Sequence, residues 1–136
     1  MRDPAILPDP AIRERVFVVG GVLAGLRGFQ TSSNHTSIDL VAPAESVWTR
    51  GQTISSAVHL DGHHEGTSFA APFVSGTAVL ALSLDPTLST SALAQAIRLG
   101  AMRSGTSYDG VPLVDAYQTL RAISERPGAP LCGNSL

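Results

Sequence analysis

Lysine is absent from these 136 residues: arginine supplies all nine basic side chains, against eleven acidic ones, for a formal net charge of -2. No basic cluster appears, so the electrostatic footprint of a nucleic-acid partner is missing. Cysteine is nearly absent too. Cys132 stands alone, which excludes an internal disulfide. The apolar stretch from Phe69 to Leu84 is short and interrupted by Pro72, Ser75 and Thr77, so a membrane partner is not expected. The opening Met-Arg-Asp-Pro lacks the apolar core of a secretory signal. None of His35, His59, His63 and His64 has carboxylate and cysteine partners at zinc-ligand spacing, so neither metal nor cofactor is expected.

What is present is a 43% hydrophobic chain long enough for one core, punctuated by 13 glycines and nine prolines. Residues 1–12 read as an irregular N-terminal segment, because Pro4, Pro8 and Pro10 resist regular structure. Residues 13–125 form the body, and the Pro- and Gly-containing residues 126–136 read as a disordered tail. Strands are predicted at Val16–Val22, Ile38–Val41, Val47–Thr49 and Ala57–Leu60. Helices are predicted at Ser68–Leu84, from a Ser89 cap to about Leu99, and from Asp115 to about Ile123. The first helix is apolar nearly all round, so it needs cover on more than one side. Buried parallel strands carry the same requirement. Standing alone, the chain is therefore expected to expose a large apolar surface.

The most informative stretch is Gly66-Thr67-Ser68-Phe69-Ala70-Ala71-Pro72, running into Phe73-Val74-Ser75-Gly76. Gly66 permits a sharp backbone turn, Thr67 can cap a helix, and Pro72 is tolerated only near a helix start. A serine in such a first turn is either a capping hydroxyl or a nucleophile whose oxyanion is held by backbone amides. Composition does not choose between them.

The eleven residues GTSFAAPFVSG closely resemble the nucleophile segment of the subtilisin-like (subtilase) serine peptidases, a G-T-S-x-A-x-P-x-V-x-G pattern that opens a central buried helix. The likeness extends to Arg15–Val22, to Ser33-Asn34, to Ile38-Asp39-Leu40-Val41-Ala42-Pro43, to Val47-Trp48-Thr49, and downstream to Ile123. It implies an α/β fold: the C-terminal portion of a mostly parallel sheet with its nucleophile helix. It also implies serine endopeptidase chemistry, with Ser68 catalytic, Gly66 and Thr67 beside the substrate, and a peptide or protein as partner. Family members are commonly exported, some bind calcium, and neither property can be placed on this chain.

The family's aspartate and histidine motifs, its side-chain oxyanion asparagine and its substrate-binding strand are not found here. The resemblance thus covers about the last third of a catalytic domain, and the chain alone is expected to be inactive. The alternative is a non-catalytic, structural or peptide-binding remnant. Asp61, His63, His64 and Glu65 precede the serine turn, but adjacent histidines on extended backbone point in opposite directions, so they read as a polar loop rather than a compact triad. His35 and Asn34 read as turn residues, and His59 as solvent-facing. Phe69 stands where bacterial members often carry methionine. Ala44 replaces a common glycine, which questions the local turn.

Overall fold

The computed structural model describes residues 9–26, 28, 38–49 and 62–127. The expected strand at residues 57–60, together with Asn34, His35, His59 and Cys132, lies outside them.

Helix α1 (Pro10–Arg13) opens the described chain, capped by Asp9, whose carboxylate accepts from the Ala11 amide at 2.8 Å. Much of this turn falls within the segment expected to be irregular. Proline at the first helical position lacks an N–H that would have had no partner there, so it starts a helix instead of blocking one. Strands β1 (Val19–Val22) and β2 (Leu40–Pro43) then pair in parallel, each shorter or later than predicted. Asp39 clamps the entrance to β1: its amide donates to the Val18 carbonyl, and its carboxylate accepts from the Val18 amide at 2.8 Å. A bridge from Val41 to Leu113 adds a third parallel element beside β2.

Strand β3 (Val47–Thr49) pairs antiparallel with β4 (Gly62–His64). The polar-loop reading of residues 61–65 is thus corrected: the backbone of Gly62–His64 is held by a strand distant in sequence, which local polarity cannot reveal. Helix α2 (Thr67–Leu84) matches expectation to within one residue. Helix α3 (Thr90–Arg103) is capped by Ser89 as predicted and runs past Leu99, because Gly100 continues the helix where it crosses the next one. A short hairpin of β5 (Ser107–Tyr108) and β6 (Val111–Pro112) precedes α4 (Ala116–Ser124); Asp115, expected as the start of this helix, is its cap and accepts from the Gln118 amide at 2.9 Å.

Three apolar clusters join these elements. Leu40 packs with Val74, Ile97 and Ala101. Ala42, Ala44 and Ala70 form a second cluster of small side chains, which brings α2 close to the sheet. Ala81, Ala96 and Ile123 join the three long helices. Arg126, assigned to the tail by composition, is instead anchored, its guanidinium 2.8 Å from the buried Asp85 carboxylate.

Candidate active site

Parallel strands leave their carboxyl ends open for function, because connections there are free of the ladder. In this chain one backbone joint delivers the serine turn to that end. The Ala44 amide donates to the Val22 carbonyl at 3.0 Å, and the Ala44 carbonyl accepts from the Gly66 amide at 2.8 Å. Gly66 is thereby tied to the tips of both β1 and β2. Ala44 itself is fully buried and adopts no left-handed backbone angle, so the doubt raised by its replacing a glycine is resolved: the methyl group fills the small-residue cluster.

Gly66 has φ 135° and ψ 155°, a conformation essentially restricted to glycine, and it forms the N-cap of α2 without a side-chain hydrogen bond. Thr67 is therefore the first helical residue and not the cap that its side chain suggested. Ser68 follows as the second, in the turn whose amides have no acceptor within the helix. Its side chain is exposed. A Cβ added to Gly66 would lie 3.6 Å from the Ser68 hydroxyl, so a side chain there would crowd the approach to it. Pro72 lies one helical turn on and has no N–H, which deprives the Ser68 carbonyl of its helical donor.

The two histidines before the turn diverge, as alternation along extended backbone requires. His63 is exposed opposite Trp48, with Nδ1 3.1 Å from the Ser46 carbonyl. His64 is half-buried and stacks on Phe69, ring centroids 5.6 Å apart and planes inclined by 16°. The Phe69 that stands in the methionine position is thus braced from the strand side. Among the described residues no imidazole hydrogen-bonds to Ser68, and no three of His, Cys, Asp and Glu gather as a metal site would require. A crevice of about 290 Å³ at the same sheet end is lined by Val22, Leu23, Leu26, Pro43, Glu45 and Leu113, with the Glu45 carboxylate accepting from the Ala24 amide at 2.6 Å. Nothing in the sequence pattern had marked it, because its walls come from three separate segments.

A strand-tied glycine turn, an exposed serine in the first turn of an apolar helix and a proline four residues later form one α/β arrangement at the strand ends. The family comparison makes this specific: the subtilase family model matches residues 3–119, and the chain belongs to the subtilase family. Thirteen chains of solved structures match as well. One is a protease from Pseudoalteromonas arctica PAMC 21717, similar with a TM-score of 0.67 and 24% identity over 84% of this chain. The match spans only 38% of that protease's chain. No curated protein matches.

Proposed function

We propose that this chain is the nucleophile-bearing part of a subtilisin-like serine endopeptidase, with Ser68 as the catalytic nucleophile. The observation that carries the reading is the Gly66 turn, which is fixed to the strand ends and presents an exposed hydroxyl at an amide-rich helix start. A base within about 2.6–3.2 Å of the hydroxyl takes its proton as the oxygen attacks the scissile carbonyl of a peptide. The Ser68 amide donates to the oxyanion so formed. Collapse expels the amine, protonated by the same base, and water then releases the acyl group along the reverse proton path. Gly66 and Thr67 border the bound peptide.

The base and the carboxylate that orients it are not among the described residues, and the family places both motifs ahead of the serine segment. The chain alone is accordingly inactive in this reading, and activity requires the portion that carries them. A second reading, a non-catalytic remnant, draws on the same observation that no imidazole among the described residues meets Ser68. A serine-directed fluorophosphonate probe separates them. The chain alone should remain unlabelled. Protein isolated from its source with an Asp- and His-bearing subtilase polypeptide attached should be labelled at Ser68, and Ser68→Ala should abolish the label. Labelling of the lone chain at Ser68 would overturn the claim of inactivity, and an unlabelled complete assembly would establish the remnant.

A further inference from the structure

The residue after Ser68 is bulky, and what holds its ring decides how open the hydroxyl is. A Cβ built on Gly66 would lie 3.6 Å from Ser68 Oγ and 3.9 Å from Phe69 Cδ2. The hydroxyl and the ring edge therefore border one small space, left open because residue 66 is a glycine. In a helix a phenylalanine keeps two usable χ1 wells, the third being closed by the preceding turn. Burial does not choose between them: Phe69 is only half-buried, whereas Ala70 beside it is sealed in the core.

The group that fixes the ring is His64. Its imidazole lies nearly parallel to the phenyl plane, at 16°, with centroids 5.6 Å apart, an offset stack. The imidazole is presented by a strand held in register, with His64 opposite Val47. His63, turned the other way, pins the same strand through Nδ1, 3.1 Å from the Ser46 carbonyl. At the other end the Gly66 amide is tied to the Ala44 carbonyl at 2.8 Å, so both partners of the stack stand on anchored backbone. The imidazole occupies one side of the ring, and the Cδ2 edge faces the gap at Gly66. A ring released by the imidazole has that gap to turn into, where it covers Ser68 Oγ.

We propose that His64 is a positioning residue for Ser68: by stacking on Phe69 it keeps the phenyl ring out of the space above Gly66 and leaves the hydroxyl open to an incoming carbonyl. Its flat ring does this, not its proton chemistry. The inference rests on the reading of Ser68 as nucleophile only for the catalytic meaning of that openness; the geometry belongs to this chain alone.

The test reads access at position 68 without catalysis. In the full chain carrying Ser68→Cys and Cys132→Ser, the rate of thiol alkylation by iodoacetamide is taken from the alkaline plateau of a pH series, so that the thiolate fraction drops out. His64→Ala should lower this rate about three- to tenfold, the bias that a stacked aromatic pair supplies. His64→Phe should restore it. His64→Ala combined with Phe69→Ala should restore it too, because the covering ring is gone. A merely structural role predicts the reverse, since loosening the strand and helix start raises thiol reactivity. A His64→Ala rate equal to or above the parent's, including one raised by unfolding, would overturn the proposal. So would a lowered rate that His64→Phe fails to restore or that persists without the Phe69 ring. A complete assembly that resists the fluorophosphonate probe refutes the nucleophile and leaves the access result standing, whereas a labelled assembly with alkylation indifferent to His64 refutes the brace alone.

Discussion

Two mid-helix glycines, Gly76 in α2 and Gly100 in α3, should respond to alanine with opposite signs. At Gly100 a Cβ would meet Thr119 Oγ1 and lie 2.5 Å from the Thr119 amide nitrogen and 2.7 Å from its Cα. These are mostly backbone atoms of α4, about 1 Å inside ordinary van der Waals separation. No rotamer change relieves them. Thr119 is fully buried, and its hydroxyl already donates to the Asp115 carbonyl at 2.7 Å. The whole of α4 must therefore move, opening the packing of Ala96 and Ile123. Overpacking of this kind costs about 3 kcal/mol at the upper end of its range. Alanine's better helix propensity returns about 1 kcal/mol. The net loss is about 2 kcal/mol, or roughly 8 °C in Tm for a chain of this size. At Gly76 a Cβ would meet nothing within 4 Å, so only the propensity gain applies and Gly76→Ala should stabilise the purified chain by up to about 1 kcal/mol.

Urea denaturation followed by far-UV circular dichroism measures both shifts in one experiment, provided the slope of free energy against urea is unchanged. A Gly100→Ala midpoint equal to or above the parent's would refute the close crossing of α3 and α4. A lowered Gly76→Ala midpoint would refute the open space at Gly76.

The Ala44 methyl is fully buried against Ala42 and Ala70, so Ala44→Gly should destabilise by about 1–2 kcal/mol through the lost methyl and the added chain freedom, as read from the urea midpoint. The Thr87 hydroxyl, followed by the Thr87 amide and Arg126, holds the Asp85 carboxyl below its usual 3.8 against the opposing effect of burial. Because the folded carboxyl binds its proton less tightly than the unfolded one, its contribution is complete above pH 3.8 and disappears as pH falls through the lowered value. Asp85→Asn should therefore lower stability at neutral pH and flatten its acid dependence below pH 4, measured by urea midpoints across a pH series. A wild-type profile that stays level through that acid range would refute the lowered Asp85 carboxyl, the Thr87 hydrogen bonds first among its causes.

Side-chain chemistry that acts within three or four residues was legible in the sequence. Ser89 could be read as a cap because it accepts from an amide three residues ahead, Asp115 was placed within one residue of the start of its helix, and GTSFAAPFVSG marked the serine helix to within a residue. Pairing across long separations was not. Strand β4 owes its existence to Val47–Thr49, and its own residues, a glycine and two histidines, carry no alternation to announce it. The β5–β6 hairpin did leave a local sign, Asp109-Gly110, whose positive φ values of 50° and 78° suit the tight turn between antiparallel strands. Two-residue strands offer no periodicity to reinforce it. The role of Ala44 was misjudged for a related reason: its substitution was weighed as a turn residue, whereas burial against Ala70 decides it.

The serine's placement and the bare helix face are consequences of one piece of packing. Ala42, Ala44 and Ala70 are all small, so the first turn of α2 lies close against the strand tips, and the Gly66 amide reaches the Ala44 carbonyl. With the helix fixed there, its narrow buried stripe is oriented by the sheet; one residue earlier along it Phe69 is half-buried against His64, and Phe73 and Leu80 are exposed. A helix that only capped a soluble sheet would carry polar residues along that second stripe. Here it carries two phenylalanines, a glycine and a leucine, so the arrangement that exposes the Ser68 hydroxyl also exposes Phe73 and Leu80 on the same helix.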